Sequence, residues 1–69
     1  MNQQSDSRDL LERRIHSEYL EMPGMILTAA QACRLWHLDR ATAEALLSRL
    51  VEKGTLARTR EGAYRARSN

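Results

Sequence analysis

The stretch from Thr28 to Leu56 constrains the fold more than any other part of the sequence, because it contains the start and end signals of two helices. Thr28 and Gln31 form a capping box, in which the Thr hydroxyl accepts from the amide of residue 31 and the Gln side chain reaches back to the Thr amide. A helix is therefore predicted to begin directly after Thr28 and to cover about residues 29–36.

A second helix is predicted to follow after a tight turn. Asp39 stands where an N-cap belongs, and good helix formers follow it. Lys53 provides a basic last turn, and Gly54 suits the left-handed position at which many helices end. This helix is thus expected at about residues 40–53, with a strand beginning after it.

The arrangement resembles the helix-turn-helix of bacterial DNA-binding proteins in its winged form. The resemblance implies a buried apolar set, which falls on Ala32, Trp36, Leu38, Ala43 and Leu46. A small residue is expected where the two helices cross, and Cys33 supplies it. The family usually has glycine in the turn, whereas this chain has His37, a residue type that tolerates positive φ better than most.

The length and the resemblance together predict the domain organisation. A chain of 69 residues forms one domain and buries only about 60% of its unfolded surface. Residues 1–7 are expected to be a disordered tail. Residues 8–67 are expected to form a three-helix winged helix-turn-helix, mainly α with a small β-wing. Its first helix is predicted at about 8–21 and its wing at about 55–67.

The first helix is predicted to bury one apolar stripe. The residues that recur at helical spacing and form it are Leu10, Leu11, Ile15, Tyr19 and Leu20. Two ion pairs, Arg8–Glu12 and Arg14–Glu18, join residues four apart and are expected on the exposed side.

The short apolar run Met25–Leu27 has two interpretations. It is either a small strand that pairs with the wing, as in winged helix proteins, or an apolar connector packed against the helices. Both interpretations bury Ile26 or Leu27.

The C-terminal segment is predicted to be a hairpin with its turn at Gly62. A two-residue loop would place Leu56 and Tyr64 on opposite faces. A three-residue loop, residues 60–62, places them on one face and puts glycine where a bulged turn requires it. We therefore predict the three-residue loop, with Arg65 and Arg67 directed to solvent and Arg60 at the tip.

The charges are distributed unevenly along the chain. Residues 1–27 carry three arginines against five acids, a net charge of −2, whereas residues 28–69 carry eight Lys or Arg against four acids, a net charge of +4. The basic half is the half that resembles a DNA-binding unit. This asymmetry favours a polyanionic partner over a solvated basic surface without one.

The resemblance implies that the third helix and the wing contact double-stranded DNA. The residues expected to bind it are Thr28, Arg40, Ala41, Thr42, Glu44, Ala45, Ser48, Arg49, Arg58, Arg60, Arg65 and Arg67. Arg40 opens the helix that would enter the major groove, and the wing arginines would approach the backbone or the minor groove. Glu44 either neutralises Arg40 or accepts from a cytosine amino group, and the sequence leaves both open.

The sequence offers little basis for catalysis or for a bound cofactor. It contains no glycine-rich phosphate loop and no nucleophile with an obvious base nearby. Cys33 and His37 could share a helix face as metal ligands, with His16 as a third, but a packed Cys and a turn His explain them better. Trp36 and Tyr19 could stack on bases, yet a small domain needs them in its core. We expect that the protein has no enzymatic activity and binds no cofactor, metal or small-molecule ligand.

The expected location is the bacterial cytoplasm. A single cysteine excludes an internal disulfide and suits a reducing compartment. The chain has neither a long apolar run nor a signal peptide, so no membrane association is expected. A homodimer through the first helix is one expected assembly. The alternatives to a DNA-binding regulator are a protein-interaction module and a small accessory subunit that binds RNA.

Overall fold

The computed structural model describes residues 3–67, with side chains from Arg8 onwards. Within that range the chain forms three helices and one three-stranded antiparallel sheet. In chain order they are α1 (Gln3–Glu21), β1 (Ile26–Thr28), α2 (Ala29–Trp36), α3 (Arg40–Glu52), β2 (Leu56–Arg58) and β3 (Ala63–Ala66). The predicted fold class, mainly α with a small β-wing, is confirmed, and the order of elements is compatible with a winged helix.

Helix α1 begins earlier than predicted. It starts at Gln3, so residues 3–7, which were expected to belong to a disordered tail, are helical. Gln is a good helix former, and neither Pro nor Gly occurs before Pro23, so nothing in this segment interrupts the helix. The expectation for residues 1–2 lies outside the described residues.

The predicted stripe of α1 is only partly correct. Ile15 and Tyr19 are fully buried, but Leu10 and Leu20 are 64% and 67% exposed. The buried face instead includes Glu12, which was expected on the exposed side. Residues 12, 15 and 19 follow the helical i, i+3, i+7 spacing, and residues 10 and 20 lie on either side of the opposite face.

The capping signals of α2 act as predicted. The Gln31 amide donates to Thr28 Oγ1 at 3.1 Å, and the Thr28 amide donates to Gln31 Oε1 at 2.9 Å. His37 ends the helix with φ 55°, and the Leu38 amide donates to the Cys33 carbonyl at 3.0 Å. The histidine therefore adopts the left-handed conformation that glycine usually provides in this turn.

The start of α3 is fixed by Asp39. Its carboxylate accepts from the Thr42 amide at 3.0 Å and from the Thr42 hydroxyl at 2.6 Å. These hydrogen bonds lower the pKa of Asp39, with the hydroxyl contact as the largest cause and the backbone amide as the next. The N-cap therefore sets the direction in which α3 leaves the turn.

The sheet has the strand order β1-β3-β2. Leu56 pairs with Ala66 and Arg58 with Tyr64, so the predicted three-residue loop is correct. Gly62 has φ 85° and donates its amide to the Thr59 carbonyl at 3.0 Å, the geometry of a bulged turn. The run before α2 is a strand rather than a connector, because β1 pairs with β3.

The core lies between the three helices and one face of the sheet. The residues buried there are Ile15, Tyr19, Ala29, Ala32, Trp36, Leu46, Leu47, Leu50, Leu56 and Tyr64. Of the residues that the resemblance implied, Leu38 and Cys33 are only partly buried. Tyr19 and Trp36 pack with their rings tilted and their centroids 6.5 Å apart, so both belong to the core. Over residues 3–67, no helix has the length and apolar character needed to cross a membrane.

Candidate nucleic-acid interface

Three separate segments meet around one open cleft of ≈ 380 Å³. The start of α2, the outer face of α3 and the wing loop each contribute to its walls. Five of the predicted site residues line this cleft, namely Thr28, Arg40, Glu44, Ser48 and Arg58. The structure adds Glu61 and the buried ring of Tyr64, which were absent from the predicted set. Residues far apart in the chain therefore form one surface.

The α3 side of the cleft carries an ion pair. Arg40 Nε donates to Glu44 Oε2 at 2.7 Å, and both side chains are more than half exposed. In the unbound protein Glu44 therefore pairs with Arg40, which is the first of the two roles that the sequence left open. A pair this exposed contributes only a few tenths of a kcal/mol, so a stronger partner can displace it.

The wing side of the cleft carries a second arginine. The Arg58 guanidinium lies over the ring of Tyr64, 5.7 Å from its centroid. A cation over an aromatic face is favourable, and a planar guanidinium also stacks on the ring. Because Tyr64 is buried and rigidly placed, it holds Arg58 at the edge of the cleft.

Between these arginines and the far side of α3 runs a strip of small side chains. Ala41, Ala45 and Ser48 are exposed at helical spacing, and we call them the small-residue ridge. Helical spacing places them on the face of α3 opposite the buried Ala43, Leu46, Leu47 and Leu50. Because these side chains are short, the backbone of α3 can approach another surface closely.

The side of α3 that faces α1 carries a different contact, which was not predicted from the sequence. Lys53 Nζ donates to Glu12 Oε1 at 2.7 Å, and Arg49 Nε lies 3.0 Å from Glu12 Oε2. The Arg49 contact is an ion pair without hydrogen-bond geometry. We call these three residues the Glu12 triad. The signal that could have found it is the position of Glu12 on the buried face defined by Ile15 and Tyr19.

The Glu12 triad borders a second hollow, of ≈ 420 Å³. It is lined by Arg8, Ala45, Ser48, Arg49, Glu52 and Lys53. Ala45 and Ser48 belong to the small-residue ridge as well, so the hollow lies directly beside it. Of the predicted site residues, Arg49 therefore lies on the α1 side of the ridge, and its charge is already paired.

The remaining wing arginines lie outside both hollows. Arg60 is exposed in the hairpin loop. Arg65 follows the buried Tyr64 in β3, so its side chain points to the opposite face of the sheet. Arg67 reaches towards the end of α3, with Nη1 beside Gly54. The structure thus separates these three arginines from Arg58, although all four are close together in the sequence.

A buried hydrogen bond lies beneath the cleft and connects α1 to the wing. The Tyr19 hydroxyl donates to the Tyr64 carbonyl at 2.9 Å. Burial raises the pKa of Tyr19 to about 12, with a smaller contribution from Tyr64. The hydroxyl therefore keeps its proton at neutral pH and holds β3 against α1.

The described residues include no group of three or more His, Cys, Asp or Glu that could hold a metal ion. Cys33 is half-buried, and His37 serves as the left-handed helix cap. The role that the structure shows for His37 is therefore that of a helix cap.

Comparisons of the chain with protein-family models, with curated proteins and with solved structures gave no match. The features of the protein that bear on its function are therefore the geometry and charge of the surface around α3.

Proposed function

We propose that this protein binds double-stranded DNA and acts as a small transcriptional regulator in the bacterial cytoplasm. In this proposal α3 enters the major groove and the wing lies along the phosphate backbone. The observation that carries it is the cleft in which Arg40 of α3 and Arg58 of the wing flank a surface beside the small-residue ridge.

The shape of α3 supports this proposal. B-DNA has a major groove about 12 Å wide, which admits an α-helix. The small-residue ridge gives α3 a low outer face, so its backbone can lie close to base edges. The wing lies beside this face, where it could contact the phosphate backbone of the DNA at the edge of the groove.

The charge distribution also supports a polyanionic partner. The wing segment carries four arginines, Arg58, Arg60, Arg65 and Arg67, against the single acid Glu61. Because so few acids lie near them, a phosphate backbone is the partner whose charge complements this segment.

In this proposal the Arg40–Glu44 pair recognises bases. Arg40 can donate to guanine, and Glu44 can accept from a cytosine amino group. Their exposed pairing keeps both side chains at the cleft before DNA arrives. Arg40→Ala should reduce discrimination between sites by about 1–3 kcal/mol.

The test is a salt titration of binding to a short random-sequence duplex. The double variant Arg60→Ala, Arg65→Ala should stay folded, because neither side chain is buried. Its plot of log affinity against log salt should be shallower by up to roughly two units, about one for each phosphate that is no longer neutralised.

The two single variants make a matched pair, since each removes one positive charge from the same hairpin. Arg60 lies in the loop and Arg65 on the outer sheet face, so Arg60→Ala should account for most of the change. Unchanged slopes in the double variant, or no binding by the wild type at low salt, would contradict the proposal.

A second candidate function, protein–protein contact, is favoured by the exposed leucines of α1. Leu10 and Leu20 both lie on its outer face, where they meet water rather than the core. A homodimer through this face is one such contact, and in this alternative the fold serves protein binding without DNA. Sedimentation of the wild type and of Leu20→Ser tests it: a dimer that dissociates in the variant supports the contact, and a monomeric wild type contradicts it.

A further inference from the structure

We infer that Glu12 is an internal competitor of the DNA backbone: its carboxylate occupies Arg49 and Lys53 and so limits how strongly the protein binds DNA. This inference rests on the proposed function of α3. It concerns a residue of α1, outside the surface that would touch DNA.

The geometry places the competition beside the small-residue ridge. Arg49 and Lys53 are four residues apart on α3, and both direct their charged groups to the one carboxylate of Glu12. They border the hollow that includes Ala45 and Ser48. A backbone phosphate next to this part of α3 would therefore lie within reach of both cations.

The exposed fractions of the three side chains show which of them can turn to a new partner. The Arg49 and Lys53 side chains are 54% and 48% exposed, whereas that of Glu12 is only 6% exposed. The cations can turn outward to a phosphate, but the carboxylate stays between α1 and α3. The exchange thus needs only side-chain rotation and no change in the fold.

The position of Glu12 argues against an incidental surface pair. It shares the buried face of α1 with Ile15 and Tyr19, and it is 41 residues from Lys53 in sequence. Burying a carboxylate costs free energy unless ion pairs compensate. An apolar residue would fill the same place without that cost, so the charge itself needs an explanation.

Competition with phosphate explains why a charged residue occupies this buried position. The triad has two positive charges and one negative charge, a net of +1, and it would have +2 without the carboxylate. A reduced charge weakens sequence-independent attraction to phosphates, which dominates non-specific binding. Base contacts elsewhere on α3 would then decide a larger share of the affinity.

The test compares Glu12→Gln with Glu18→Gln in salt titrations on the same random-sequence duplex. Both variants remove one negative charge from α1, but Glu18 pairs with Arg14 within its own helix. Glu12→Gln should bind roughly three- to tenfold more tightly near 0.1 M salt, with a slope steeper by roughly one unit. Glu18→Gln should change clearly less.

A triple variant, Glu12→Gln with Arg49→Gln and Lys53→Gln, identifies the cations involved. It leaves no unpaired buried charge, so it should fold, and thermal unfolding followed by circular dichroism checks this for each variant. Compared with Glu12→Gln alone, its slope should be shallower by roughly two units, because both freed cations are removed.

Several outcomes separate this inference from the proposed function. If the wild type binds DNA and Glu12→Gln behaves like Glu18→Gln, Glu12 does not compete and only the inference fails. If Glu12→Gln binds more weakly than the wild type, Glu12 positions the cations rather than withholding them, and the inference is again wrong. If neither the wild type nor any variant binds at low salt, the proposed function fails and the inference fails with it.

Discussion

The two flanks of α3 both pair a glutamate with an arginine, but they differ in burial and in range. On the wing flank, Arg40 and Glu44 are four residues apart and both exposed. On the α1 flank, Arg49 shares with Lys53 a glutamate that comes from another helix and is buried. The first pair can open at little cost, whereas the second joins two elements of the fold.

The aromatic residues show the same division. Tyr19 and Trp36 pack against each other in the core, between α1 and α2. Tyr64 faces both ways: its carbonyl accepts from Tyr19, and its ring supports the exposed Arg58. Substitutions on the core side should therefore change stability, and substitutions around the cleft should change binding.

The largest expected effect is that of Trp36→Ala. Loss of this buried ring should lower the free energy of unfolding by about 3–5 kcal/mol. A domain this small would then be largely unfolded, since small domains have little stability to lose. Urea unfolding followed by circular dichroism measures it. A variant that stays folded and loses only DNA binding would place Trp36 in the interface and contradict the division between core and cleft.

A smaller effect is expected from Tyr19→Phe, which removes the hydrogen bond between α1 and β3. At neutral pH the free energy of unfolding should fall by about 1 kcal/mol, as measured by urea unfolding.

The same variant tests the pKa of Tyr19. The hydroxyl has a pKa of about 12 in the folded protein against an ordinary 10.0, so the folded state holds the proton more tightly. The stabilisation that depends on the protonated Tyr19 hydroxyl is complete below pH 10 and is lost as the pH rises from 10 to 12. The difference in stability between wild type and Tyr19→Phe should therefore shrink across that window. A constant difference would show that Tyr19 titrates normally.

The smallest expected effect on stability is that of the exposed pair. Arg40→Ala and Glu44→Ala should each change the free energy of unfolding by less than about 0.5 kcal/mol, because water solvates the remaining partner. Thermal unfolding at low salt measures this. A decrease above about 1 kcal/mol, the upper end for exposed pairs, would mean that the wing flank also stabilises the fold, and the contrast between the flanks would disappear.

Local signals in the sequence predicted much of the fold correctly. The capping box at Thr28, the N-cap at Asp39, the left-handed His37 and the three-residue loop ending at Gly62 each depend on residues within four positions of one another. Hydrogen bonds over such short separations are fixed by residue type and backbone geometry, so they can be predicted before the rest of the chain is placed.

Only those parts of the candidate site that depend on residues close together in the sequence could be predicted. Helical spacing alone puts Ala41, Ala45 and Ser48 on the outer face of α3. Strand alternation puts Arg65 on the face opposite Tyr64. The cleft itself needed the packing of α2, α3 and the wing, because its walls come from segments that the sequence does not bring together.

The tertiary structure alone decided the role of α1. Apolar residues lie around much of α1, since Leu10 and Leu20 are about a quarter of a turn apart and neither shares the face of Ile15 and Tyr19. Periodicity therefore did not show which face is buried. The face containing Glu12, Ile15 and Tyr19 became the buried one because Tyr19 meets β3 and Glu12 meets two cations of α3. Those partners lie about forty residues away, and only the folded chain places them opposite α1.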